Sequence, residues 1–76
     1  MDIEKNFAAN LRALRAMHQM SRAKLGRALK IHPLTIGNWE SGTHVPTVKN
    51  AIKVSEYFGV SYLTLFDFNP LNRTLG

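Results

Sequence analysis

The chain has no cysteine, which excludes a disulfide framework and any thiolate-held metal or cluster. It has no apolar run long enough to cross a bilayer and no secretory leader, so the expected location is cytoplasmic, with no membrane partner. No alternation of strand length competes with helical spacing anywhere in the sequence. His18, His32 and His44 form no ligand cluster and no HExxH spacing occurs, so neither a metal nor a cofactor is expected. No nucleophile stands beside a base. With 76 residues there is room for one core, burying about 60% of the unfolded surface, but not for a deep cleft, and an enzyme is not expected.

Negative charge is also scarce. Asp and Glu number 5 against 10 Lys and Arg, for a net charge of +5. Of those 10 cations, 7 fall within the first thirty residues: Lys5, Arg12, Arg15, Arg22, Lys24, Arg27 and Lys30. A one-sided excess of this kind suits a protein that meets a polyanion. A solvated helix surface gives the same count, so charge alone leaves both readings open.

Apolar spacing predicts short helices. Phe7, Leu11, Leu14 and the pair Met17 and His18 mark one face of a first helix over about 4–18, with Asp2 at the positive end of its dipole. Ser21 is a good N-cap for a second helix from Arg22 to about Leu29, and Met20 and Leu25 have hydrophobic-staple spacing. Ala23 or Gly26, with Leu25, Ala28 and Leu29, should be its buried side. Pro33 has no N–H to lose at the first position of a third helix and biases His32 toward extended backbone. That helix should end near Ser41, because Gly42 supplies a left-handed residue. Thr47 then caps a fourth helix with Val48, Ala51, Ile52, Ser55 and Phe58 at helical spacing, closed by Gly59, and Ser61 caps a fifth through about Phe66. The expectation is an all-α domain of five helices over 1–66. A tail over 67–76 follows, and Leu65, Phe66, Phe68, Leu71 and Leu75 at this end either cover the core or form a dimer contact, the latter being favoured.

Helices two and three are separated by three residues, the link of a helix-turn-helix. The sequence carries Ser21 and Leu25, Ile31, Thr35 and Ile36, "WESG" from Trp39 to Gly42, Pro46, and "FGVSYL" from Phe58 to Leu63. This ordering resembles the Cro and repressor (lambda-repressor-like, XRE-type) helix-turn-helix family over roughly residues 5–66. The resemblance implies a compact five-helix domain whose third helix enters the major groove, and an Arg15–Glu40 pair that locks this helix to the scaffold. It implies phosphate contacts at the start of helix two, from Ser21 and from Arg22, which stands where the family often has glutamine and keeps a full charge. Gly26 replaces a usual alanine, at about 1 kcal/mol of helix propensity. Lys30 replaces the usual turn glycine and is expected at positive φ.

Helical spacing directs Pro33, Leu34, Gly37, Asn38 and Ser41 away from core-facing Ile36 and Trp39. On the family geometry Pro33, Leu34, Gly37 and Asn38 meet bases. Asn38 suits adenine N6 and N7, and Leu34 a thymine methyl. Thr35, Ser41, Thr43 and His44 suit phosphates. The implied function is a sequence-specific DNA-binding transcriptional regulator, Cro-like or repressor-like and of phage type, acting as a homodimer on a double-stranded operator. This face carries no Arg, Lys, Gln or Glu, which leaves a second function open: an anti-repressor or antitoxin that uses the same face to bind a partner protein such as a cognate repressor.

Overall fold

Helices begin where a short polar side chain accepts an otherwise unpaired backbone N–H, and the computed structural model, which describes residues 2–67, contains five of them. They are α1 (Ile3–Met17), α2 (Arg22–Leu29), α3 (Pro33–Glu40), α4 (Val48–Phe58) and α5 (Tyr62–Phe66). Asp2 accepts from the Lys5 N–H at 3.1 Å, Ser21 from Lys24 at 3.0 Å and Thr47 from Asn50 at 3.2 Å. Ser61 stands before α5 but makes no capping bond. Pro33 opens α3 as its spacing predicts, and the cap there is the His32 ring, whose Nδ1 accepts from the Leu34 N–H at 3.1 Å.

Three helices end in the same paired-bond turn, through a left-handed residue that lets the next two N–H groups reach back to the last carbonyls. Gly59 supplies it after α4 with φ 68°, Lys30 after α2 with φ 59°, and Gln19 after α1 with φ 53°. At the close of α2, Ile31 donates to the Gly26 carbonyl at 2.8 Å and Lys30 to that of Arg27 at 3.4 Å. Lys53 adds a side-chain bond to the Leu29 carbonyl at 3.2 Å.

The core gathers Phe7, Leu11 and Leu14 of α1, Met20, Leu25 and Leu29, Ile36 and Trp39 of α3, Val54 and Phe58 of α4, and Leu65 of α5. Phe7 is its hinge, edge-on to Trp39 at 5.8 Å and stacked on Phe66 at 5.3 Å. Several expected faces are corrected. Met17 and His18 are exposed, because the left-handed Gln19 turns the chain and delivers Met20 to the core instead. Ala28 is exposed as well, since the buried side of α2 is Leu25, Gly26 and Leu29. On α4 the inward stripe is Ala51, Val54, Ser55 and Phe58, which leaves Val48 and Ile52 outside. Leu65 and Phe66 belong to the core and its edge rather than to a free tail. Phe68, Leu71 and Leu75, on which the expected dimer contact also rests, lie outside the described residues.

Two carboxamides fasten α5 to α1. The Nδ2 of fully buried Asn10 shares its two hydrogens among the carbonyls of Thr64, Leu65 and Asp67 at 2.9–3.0 Å, and Asn6 donates to that of Phe66 at 3.1 Å. These serve the last carbonyls of a helix too short to hold itself.

Gly26 has a role its helix propensity hides. A Cβ built there would stand 2.5 Å from the Ile31 carbonyl oxygen, which is backbone and cannot step aside without moving the α2–α3 turn. The usual helical preference for alanine over glycine is therefore reversed at Gly26. Gly26→Ala should destabilise the domain by about 2 kcal/mol despite its better propensity. Lys30→Gly should stabilise it by about 0.5–1 kcal/mol, the relief of left-handed strain less the added freedom of the unfolded chain. Thermal unfolding of both variants checks this, and an unchanged or raised Tm for Gly26→Ala would show that the turn yields.

Candidate nucleic-acid interface

The position of α3 is set at its last residue. The Glu40 side chain has no solvent exposure, and Arg15 meets its carboxylate with two bonds, Nε to Oε2 at 2.6 Å and Nη2 to Oε1 at 2.9 Å. Arg22 of α2 donates from Nε to Oε1 at 2.9 Å. Arg12 donates to the Glu40 backbone carbonyl at 2.6 Å, where the negative end of the α3 dipole favours a cation. The remaining Arg15 donor reaches the Met20 carbonyl at 2.8 Å, in the turn between α1 and α2. One carboxylate thus joins three helices.

Burial alone would raise the Glu40 pKa, but the hydrogen bonds from Arg15 and Arg22 and their positive charge outweigh it and hold the carboxyl below its ordinary value. The bond to Glu40 holds the Arg15 guanidinium above its own ordinary value, against a smaller opposing effect of burial. A buried pair of this kind fixes orientation more surely than it adds net stability, because desolvation offsets much of the attraction.

Sequence spacing leads to Arg15 and Glu40 only through resemblance, and the bonds from Arg12 and Arg22 are new. A signal for Arg12 exists: it lies one turn from Arg15 on α1, so both guanidinia can reach one helix end. Arg22 is half-exposed, with its Nε held by Glu40. Its Nη1 lies 3.6 Å from where a Cβ on Gly37 would stand, an ordinary contact distance.

On the outward side of α3, Pro33, Leu34, Asn38 and Ser41 are exposed, and Leu34 is 68% so. Gly37 and Thr35 lie at the half-buried flanks, and Ile36, Trp39 and Glu40 face inward. Ser21 and Arg22 stand at the N-terminus of α2, where free N–H groups and the helix dipole favour an anion. Beyond α3 the exposed side chains are linked. Ser41 Oγ donates to the Asn38 carbonyl at 2.7 Å, and lies 2.8 Å from Thr43 Oγ1, which lies 2.9 Å from His44 Nδ1. Among the described residues no group of three or more His, Asp or Glu is placed to hold a metal ion. No helix among them is long and apolar enough to cross a membrane.

A family model described as helix-turn-helix matches residues 11–65, well over half of the chain. No curated protein and no solved structure gives a significant match. The matched span runs from the middle of α1 to the end of α5 and contains Arg15, Arg22 and Glu40 together with the whole of α3.

The carboxylate's role has a signature in acid. Its folded-state pKa is lowered, so its ion pairs stabilise the domain above the ordinary glutamate range, about 4.3, and this contribution is lost as pH falls through the folded value. Glu40→Gln should cost about 3 kcal/mol at pH 7, because it leaves buried arginine charge without its partner. The gap between wild type and variant should narrow below the ordinary glutamate range, as the native carboxylate takes up its proton. Denaturant unfolding across pH measures it, and a gap that stays constant into acid would mean that Glu40 is not held ionised by the arginines.

Proposed function

The chain belongs to the helix-turn-helix family, whose XRE-type members are DNA-binding transcription regulators rather than enzymes, and from that membership we propose that it reads a specific duplex sequence with the outward face of α3. The observation that carries this is the exposed row Pro33, Leu34 and Asn38, flanked by half-buried Gly37, on a helix whose far end is fixed by Glu40. A reading helix needs to be both exposed and unable to rock, since base contacts tolerate little displacement. In this reading Asn38 contacts an adenine edge in the major groove and Leu34 a thymine methyl. Ser21, Arg22, Thr35, Ser41, Thr43 and His44 border the phosphates. The protein acts as a homodimer on a two-fold operator in the cytoplasm, residues 1–66 forming the DNA-binding unit and 67–76 a tail that contributes to the dimer. The finer reading, a Cro-like or repressor-like regulator of phage type, rests on the sequence resemblance.

One observation favours the second function. Leu34 is exposed in the middle of this face, and an apolar residue there suits a partner protein such as a cognate repressor as well as a thymine methyl. The two differ in salt dependence, which is steep for a phosphate contact and weak for an apolar one.

Gly37 offers a direct test. Nothing in the scaffold needs a glycine there, since a Cβ would meet only the Arg22 guanidinium at ordinary distance. Gly37→Ala should therefore raise stability by up to about 1 kcal/mol through helix propensity, while weakening duplex binding if the bare backbone is there for close approach to DNA. Asn38→Ala should cost about 1–3 kcal/mol on a duplex recovered by selection from random sequence, with little loss on random duplex. Equal affinity of the wild type for selected and random duplex would remove the sequence-reading function, and a complex with a partner protein abolished by Leu34→Glu would replace it.

A further inference from the structure

The hydroxyl protons on the loop after α3 can be counted. Ser41 has one, and a carbonyl can only accept, so that proton is on the bond to the Asn38 carbonyl. The 2.8 Å contact between Ser41 and Thr43 must then use the Thr43 proton, with Ser41 Oγ accepting. Thr43 has no proton left for His44, so the 2.9 Å contact requires His44 Nδ1 to carry the hydrogen and donate it to Thr43 Oγ1. All three bonds run one way, from imidazole through two hydroxyls to the end of α3. A neutral His44 in this chain keeps its proton on Nδ1 and leaves Nε2 with a bare lone pair. His32 is held in the opposite tautomer: its Nδ1 accepts the Leu34 N–H, so its proton is on Nε2.

A phosphate oxygen only accepts. The Ser41 and Thr43 hydroxyls have no proton to offer it while the chain holds, and neutral His44 presents it with a lone pair. Only the imidazolium places a donor at Nε2, with a positive charge beside it. We infer that His44 is a proton-gated phosphate ligand, so that docking this loop on duplex DNA takes up a proton from solvent at Nε2. Lys5 of α1 packs against Gly42 and pairs with Asp2 at 3.7 Å, Arg12 is bonded to the Glu40 carbonyl, and α4 brings Lys49 in its first turn. Among the described residues His44 has no carboxylate partner. Backbone N–H groups of the loop can serve a phosphate at any pH. The side-chain contribution requires the imidazolium.

The inference rests on the DNA-binding reading, and the two fail separately. In the free full-length protein at pH 8.5, imidazole 15N spectra should show His44 with its proton on Nδ1 and His32 with its proton on Nε2. A proton on Nε2 of His44 would overturn the inference however tightly duplex is bound. Affinity for a random-sequence duplex should rise about two- to fivefold per protomer between pH 8 and pH 5.5, the size of one exposed charge contact. His44→Ala should lose that rise. Thr43→Val gives the sharpest contrast. Without the acceptor the neutral ring returns its proton to Nε2 and can donate to phosphate, so the pH dependence should flatten. Equal weakening of Thr43→Val at both pH values would show that the threonine hydroxyl itself holds the phosphate and would overturn the proton gate. Absence of binding to any duplex at either pH would remove the DNA-binding reading, and the inferred ligand with it.

Discussion

A single buried carboxylate sets where α3 lies. Glu40 is the last residue of that helix, and its two oxygens take bonds from α1 through Arg15 and from α2 through Arg22. Its own backbone carbonyl takes a third, from Arg12. The apolar core beneath supplies attraction without direction: Ile36 and Trp39 would pack nearly as well with the helix rolled by a few degrees. Charged bonds with two-point geometry do not allow such a roll. Arg15 and Arg22 together leave one excess positive charge beside the carboxylate, half-exposed at Arg22, on the side of the molecule that the proposed function turns toward a polyanion.

The other constraint on α3 is steric. The turn between α2 and α3 closes so tightly over Gly26 that a methyl group would meet the Ile31 carbonyl. Lys30 adopts left-handed backbone to make the bend. Strain at Lys30 and the missing side chain at Gly26 are two faces of one geometry, in which the chain reverses in three residues and brings the two helices into contact. The turn fixes the separation of α2 and α3 and the Glu40 cluster fixes their rotation. Neither alone defines the presented face.

Helix starts were legible in the sequence because caps are local. Asp2, Ser21, Pro33 and Thr47 act within three residues of where they stand. The exposed row on α3 follows likewise from helical spacing alone. Faces were less legible where apolar residues exceed what the core can take: helical spacing points to Val48 and Ile52 and passes over Val54, yet Val54 is the buried one. Hidden altogether were polar groups whose partners are remote. Asn6 and Asn10 carry no sequence signal, yet serve carbonyls at the far end of the chain. His32 read as a backbone position rather than a ring acceptor. In the loop after α3, sequence supplied the residue types suited to phosphate, whereas proton direction depends on which hydroxyl touches which carbonyl, and no spacing encodes that.

The carboxamide clasp of α1 on α5 also bears on the order in which the chain assembles. Asn10 joins residues 54 to 57 positions away, so closing that loop costs more chain entropy than forming the α2–α3 turn, whose partners are neighbours. Contacts of such long range tend to mature after the local ones, and α5, only five residues long, has little helical stability before α1 is there to receive it. The unit around α2 and α3 is then the early-formed part of the molecule and α5 the late one. A weakened clasp would show chiefly as faster unfolding, with the rate of folding nearly untouched.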